Sequence, residues 1–304
     1  MQIFLTGASG YIGSAVRDAC LKAGHGVTAL VRDARKAQRL RNCGVTPVVA
    51  DLGDGPAWRE AAVGHDAFVH AAYEWSARGV ETDRTALETL ITAAQWTGKH
   101  RPVLYTSGVW VLGSSAQPAT EESALSPLPL VSWRPAHEAA VLGARSIRPI
   151  VVRPGVVYGS ARGMIGDLFR EATNGLVRVM GDGRNRWACV YDRDLADLYL
   201  RLLMAPDATG VYHANDEADE SVTDIVEAIG RHVTHPPDVR HVPIEEARAK
   251  MGPYADALAL DQVVRSPRAR ALGWAPGLRS VSGNVPRLLE EWRRGQNDAQ
   301  NTED

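Results

Sequence analysis

The spacing in this chain that most plainly serves chemistry is Gly7-Ala8-Ser9-Gly10-Tyr11-Ile12-Gly13, a GxxGxxG placed directly after the apolar run Gln2–Thr6. Gly7 permits a tight turn, Gly10 lets backbone approach a pyrophosphate, and Gly13 lets a helix pack close to the strand. Unpaired N–H groups at the start of that helix, together with its macrodipole, favour an anion. Ser9, Tyr11 and Ile12 share the turn and are expected to touch the phosphates. Strand, turn, helix and second strand follow in order within the first 31 residues, so the expected ligand is a dinucleotide.

After the second strand, where an acid usually holds the ribose hydroxyls of NAD, the chain reads Val31-Arg32-Asp33-Ala34-Arg35-Lys36. A guanidinium at Arg32 can fork onto a 2′-phosphate and stack on adenine. NADP is the preferred cofactor on this reading, and Asp33 leaves NAD open. The plainer alternative is a basic helix start on a solvated face.

These residues need a frame. Short β-branched runs at Gln2–Thr6, Val27–Val31, Pro47–Ala50, Ala67–Ala71, Val103–Thr106 and Ile150–Arg153 alternate with helical patterns such as Tyr11–Ala23, Glu81–Trp96 and Arg134–Ala144. Apolar strands without alternation, separated by helices, predict an α/β fold with a doubly wound parallel (Rossmann) sheet. After Tyr158 the rhythm shifts to longer helices and Pro/Gly turns. The expected division is residues 1–158 as the dinucleotide-binding domain and 159–293 as mainly a smaller α/β substrate lobe, with segments such as Val211–Ala214 returning to the sheet. Residues 294–304 read as a flexible tail.

Composition narrows the partners. The 304 residues are 45% hydrophobic and 23% charged with a net charge of −2, which argues against disorder, nucleic acid and anionic lipid. Three scattered cysteines, Cys20, Cys43 and Cys189, fit a reducing cytoplasm better than a disulfide framework. The N-terminus lacks a secretory pattern, and the uncharged stretch 102–120 carries too many Ser, Thr, Gly and Gln residues for a membrane span. His232-x-x-His235 has no carboxylate at ligand spacing, so no metal is expected. The expected partner is a small-molecule substrate.

Beyond the glycine turn, the chain resembles the short-chain dehydrogenase/reductase superfamily, specifically extended or atypical members of the NAD-dependent epimerase/dehydratase-like group. The resemblance runs over about residues 1–280. It rests on Asp51-Leu52, His70-Ala71-Ala72, Tyr105-Thr106-Ser107-Gly108, Val152-Arg153-Pro154-Gly155 and Val190-Tyr191-Asp192-Arg193-Asp194. It implies cofactor contacts from Asp51, Leu52, Ala71, Ala72, Thr106 and Pro154. It also implies dimers through the helices after the fourth and fifth strands. Leu87, Leu90, Ile91 and Ala94 give one of these helices an apolar stripe for a homodimer. That stripe could equally face the sheet.

The family's catalytic pair is a Tyr with a Lys four residues later, the Lys lowering the pKa of the phenol. Here the aligned helix reads Ser132-Trp133-Arg134-Pro135-Ala136-His137, with Trp133 in the Tyr place and His137 in the Lys place. Lysines occur only at 22, 36, 99 and 250, so no YxxxK exists anywhere. The family's hydroxyl position aligns with Gly108, beside Thr106 and Ser107. Candidate substitutes are His137 for proton transfer, against a helix histidine that only bonds ribose or solvent; Ser107 for orienting a carbonyl, against a hydroxyl that closes the end of the fifth strand; and Tyr73 at the substrate or in a pocket wall.

Tyr73, Trp75, Tyr105, Trp110, Trp133, Tyr158 and Trp187 are expected to gather around the cleft and suit a flat or apolar substrate, with core packing of the second lobe an equal alternative. Arg184 and Arg186 could read an anion or pair with Asp182 and Asp192. Two functions follow. One is an NAD(P)-dependent oxidoreductase or epimerase/dehydratase-like enzyme on a small, aromatic-compatible metabolite. The other is a catalytically inactive NADP(H)-binding sensor or regulator, since fold does not imply activity.

Overall fold

The computed structural model describes residues 1–96 and 98–300. Its strands in chain order are β1 Gln2–Thr6, β2 Gly26–Val31, β3 Thr46–Val49, β4 Ala67–His70, β5 Arg101–Thr106, β6 Ser115–Ala119, β7 Ile147–Pro154, β8 Val156–Tyr158, β9 Leu176–Met180, β10 Cys189–Tyr191, β11 Gly210–Ala214, β12 Asp238–Val242 and β13 Gln262–Val264. The helices are α1 Tyr11–Lys22, α2 Ala34–Asn42, α3 Gly55–Ala62, α4 Gly79–Gln95, α5 Arg134–Leu142, α6 Gly163–Thr173, α7 Asp192–Met204, α8 Val222–Gly230, α9 Ile244–Met251, α10 Tyr254–Leu258, α11 Pro267–Ala271 and α12 Val285–Gln300.

Seven strands form one sheet in the order β11-β7-β5-β4-β1-β2-β3. Parallel ladders join β1 to both β2 and β4, and continue through β2–β3, β4–β5 and β5–β7. The order reverses at β1, so a crevice opens beyond the carboxyl ends of β1 and β4, where such sheets bind ligands. Every residue of β4 is buried, as a strand covered by helices on both faces must be. Phe4 stacks on Trp58 at 5.6 Å and packs in a core with Phe68, Leu90 and Val103.

The chain divides into two compact units. The first holds residues 1–107, 133–153 and 195–212; the second holds 108–132, 154–194 and 213–304. Relative to a boundary at 158 with segments returning to the sheet, residues 108–132 and 154–158 fall in the second unit, and 195–212, which holds most of α7, falls in the first. In the second unit, short parallel pairs β8–β10, β9–β12 and β6–β13 are wrapped by helices. Phe169, Trp187, Ile225, Leu288 and Trp292 share its core.

Two further points concern the C-terminal segment and α4. The segment from Arg294 continues α12 to Gln300 rather than starting a tail, because each added helical residue gains a backbone bond once buried Leu288 and Trp292 anchor the nucleus. The last four residues of the expected tail lie outside the described residues. The stripe on α4 faces the sheet: Leu87, Leu90 and Ala94 are buried and Ile91 packs against the same clusters.

Candidate active site

The glycine turn is built as its spacing predicts. Gly7 has φ +83°, and a Cβ there would lie 2.5 Å from Ala71 O and 2.7 Å from Ala72 N. The turn is thereby pressed against the two alanines after β4. A Cβ on Gly13 would lie 2.1 Å from Gly7 O, so only glycine lets α1 start so close to β1. Gly10 N–H donates to Gly7 O at 2.7 Å, and Arg17 Nη1 donates to Ala8 O at 3.1 Å, bracing the turn. Gly10 caps α1 without a side chain, and the first turn carries no acid. The helix start is therefore open to an anion, and these residues fit a dinucleotide pyrophosphate.

At the adenosine end, Arg32 extends from β2 with its side chain 59% exposed, 3.9 Å from Glu74 Oε2. Asp33 is occupied as the N-cap of α2, accepting the Lys36 N–H at 2.8 Å. Asp51 Oδ1 accepts the Gly53 N–H at 2.8 Å, and its Oδ2 accepts from Arg78 at 2.7 Å. The bond from Arg78, followed by that from Gly53, holds the Asp51 carboxyl below its usual range. Arg78 also donates to Glu74 at 2.9 Å. Leu52 is buried beside this group.

Asp83 joins three side chains inside the first unit. It sits on α4 among Ala86, Leu87 and Leu90, and is 2% exposed. Its Oδ2 lies 2.7 Å from His137 Nδ1 on α5 and accepts the Tyr105 hydroxyl at 3.1 Å. Its Oδ1 lies 3.2 Å from His70 Nε2 at the end of β4, and His70 Nδ1 lies 2.6 Å from Thr6 Oγ1. Burial works to raise the Asp83 pKa, but the bonds from His137 and then His70 overcome it and hold the carboxyl well below its ordinary range. An ionised carboxylate only accepts, so His137 carries its proton on Nδ1 and its neutral form presents a lone pair at Nε2. Nε2 has no hydrogen-bond partner among the described residues.

Around this pair, Arg134 Nη1 donates to Tyr105 Oη at 3.2 Å and to Thr106 O at 3.0 Å. Its guanidinium lies 4.5 Å from the Trp133 ring centroid and 5.4 Å from that of Tyr73. Tyr73 stacks on Trp133 at 5.4 Å with planes 12° apart. Burial raises the Tyr73 pKa against the opposing Arg134 charge, so Tyr73 stays neutral near neutral pH. Thr106 Oγ1 is engaged with the Tyr199 hydroxyl at 2.8 Å. Ser107 donates its N–H to Val152 O, while its buried Oγ has no partner among the described residues.

The first unit brings together Gly7, Arg32, Asp51, Ala71, Thr106, Ser107, Tyr73 and His137. Pro154, the last residue of β7, belongs to the second unit. Of the seven aromatics, Trp110, Tyr158 and Trp187 belong to the second unit, and Tyr105 is fully buried in the sheet. Arg186 pairs with Asp261 at 2.8 Å, not with Asp192, which accepts from Ser160. Arg184 lies 3.6 Å from Asp182. No metal-binding group occurs among the described residues, and none of their helices is long and apolar enough to cross a membrane.

Sequence reasoning missed Asp83 and Arg78. A charged residue on the otherwise apolar stripe of α4 was the available signal for Asp83. Nothing local marks Arg78.

Residues 3–215 match the NAD dependent epimerase/dehydratase family. The chain is 30% identical over 284 residues to the uncharacterized protein C2A9.02 of Schizosaccharomyces pombe, covering 91% of this chain and 95% of that one. It is 26% identical over 234 residues to a decarboxylating sterol-4-alpha-carboxylate 3-dehydrogenase of Dictyostelium discoideum, covering 71% of each. The human epimerase family protein SDR39U1, solved with NADPH, shares the fold at TM-score 0.77 and 22% identity, covering 95% and 99% of the two chains. The chain belongs to the NAD dependent epimerase/dehydratase family. It is thus a nucleotide-cofactor protein of the NAD(P)-dependent oxidoreductase and epimerase type.

Proposed function

We propose that this chain is an NADP-dependent oxidoreductase acting on the carbonyl or alcohol of a small, predominantly apolar metabolite, with His137 as its acid/base. The observation that carries this reading is the 2.7 Å contact of His137 Nδ1 with buried Asp83, on the helix where the family's Tyr and Lys are missing. When bound, the nicotinamide supplies or accepts the hydride.

The remaining work falls to the chain. His137 gives a proton from Nε2 to an oxygen that gains negative charge, or takes it back in the reverse direction. Asp83 stabilises the imidazolium and fixes the ring. Ser107 Oγ, buried and without a partner, hydrogen-bonds the reacting oxygen. Arg32, helped by Arg78 across the Asp51–Glu74 pair, receives the 2′-phosphate. The sterol relative supports an apolar substrate.

The test is NADPH oxidation with a panel of ketones, aldehydes and quinones, for the wild type and for His137→Ala. Turnover by the wild type that falls about 10²-fold or more in the variant, with NADPH affinity retained, supports the reading. Tight NADPH binding without turnover of any carbonyl class would instead favour a regulatory nucleotide-binding protein.

A further inference from the structure

Arg134, the first residue of α5, is a half-buried cation of the first unit. Its Nη1 donates to two neutral oxygens, Thr106 O at 3.0 Å and Tyr105 Oη at 3.2 Å. Among the described residues, Nε and Nη2 have no hydrogen-bond partner and no carboxylate forms an ion pair with the guanidinium. The Nε–Nη2 edge is the fork of parallel N–H groups that matches a carboxylate, and it is unused.

The nearby acids are already taken. Glu138, on the same helix, is bound at both oxygens by Arg153, and the oxygens of Asp83 are occupied by His137, Tyr105 and His70. A positive charge is therefore fixed at the carboxyl end of β5 without an anion in direct contact, although charges withdrawn from water are ordinarily paired. It also stands beside the proposed acid/base. The guanidinium carbon lies 4.5 Å from the Trp133 ring centroid, and the His137 ring packs on the same indole at 4.8 Å. Tyr105 links the two again, accepting from Arg134 and donating to the Asp83 oxygen that holds His137.

We infer that Arg134 is a specificity-determining residue that holds the carboxylate of an oxo acid, whose reacting carbonyl lies one or two carbons away at His137. The inference rests on the oxidoreductase reading for the carbonyl. The anion site itself is independent of turnover.

The test titrates the full chain, saturated with NADP+, with 2-oxohexanoate, 3-oxohexanoate and the methyl ester of each. The oxidised cofactor has no hydride to give, so binding is read without reduction. In the wild type each acid should bind about ten-fold or more tighter than its ester, because the charge-assisted fork forms only with the acid. Arg134→Gln keeps a donor for Thr106 O and lacks the charge, so it should remove the difference. Arg134→Lys should restore part of it, as a point charge without the fork. NADP+ affinity should stay unchanged in both variants, with folding checked by circular dichroism. No preference for the acids in the wild type, or an equal preference in folded Arg134→Gln, overturns the inference. So does an NADP+ affinity that falls as far as acid affinity in the folded variants, which would give Arg134 to the cofactor. A preference that Arg134→Gln removes, in a chain that with NADPH reduces neither acid nor ester, keeps the anion site and refutes the oxidoreductase reading. Reduction of acid and ester with equal kcat/KM and no binding preference does the reverse.

Discussion

Asp83 and His137 are 54 residues apart in the chain and meet at 2.7 Å, a carboxylate on the apolar face of α4 gripping an imidazole on α5. His70, braced by Thr6 at the end of β1, holds the other carboxylate oxygen. The phosphate turn begins at the next residue, Gly7. The Asp83–His137 pair and the start of the glycine turn therefore hang from one buried hydrogen-bonded chain.

The first prediction concerns this hub. Asp83→Asn keeps the shape but removes the charge and puts an N–H donor in place of one accepting oxygen, so kcat should fall about 10²-fold or more. Stability should fall by about 1–3 kcal/mol. The folded pKa of Asp83 is depressed, so its contribution is complete above the unfolded value of about 3.9 and declines as pH falls below it. Acid unfolding followed by circular dichroism should shift to higher pH in the variant. An unshifted transition would mean that the carboxylate carries little stability.

Arg32→Ala should weaken NADPH about ten-fold or more and leave NADH nearly unaffected, since one charge-assisted pair is lost only with the 2′-phosphate. Arg78→Ala should do the same to a smaller degree, because it also frees Asp51 to meet ribose hydroxyls. Fluorescence titration with both cofactors checks this. Equal losses for NADH and NADPH would refute the preference.

Gly13→Val should abolish cofactor binding. Its Cβ would fall 2.1 Å from Gly7 O, so α1 must move off β1 and take its N–H groups with it. Overpacking of this kind costs about 1–3 kcal/mol, which leaves a folded protein to titrate. Wild-type affinity in that protein would remove the phosphates from the glycine turn.

How much of this could be read from the residues depends on the range of each interaction. The glycine turn and the order of β1 to β5 are local patterns of spacing and hydrophobic run, and they fold as read. Asp83 finds His137 only through the packing of α4 against α5, and Arg78 reaches Asp51 across 27 residues of sequence. The seven aromatics recur near strand ends. The topology divides them between two units. Arg186 is neutralised by Asp261, 75 residues later, a pairing no local spacing announces.

In the second unit, burial above all raises Asp216 to about 7, with the Ala218 N–H and the Tyr158 hydroxyl at 3.1 Å partly opposing it. The folded state therefore keeps a proton that the unfolded chain has lost above about pH 4. Stability should fall as pH rises from about 4 to about 7, by on the order of a few kcal/mol, and level off above. Asp216→Asn should flatten that slope in urea unfolding at pH 5 and pH 8. An identical slope in the variant would assign the pH dependence to other groups.

The central claim is that His137 moves the proton. The most direct test is the pH–rate profile of kcat for the wild type and His137→Ala on a carbonyl substrate that the wild type reduces, with NADPH saturating. The predicted result is a lower plateau for the variant and the loss of the limb that reports the imidazole, with NADPH affinity nearly unchanged. A profile of the same shape and height in His137→Ala would contradict the account.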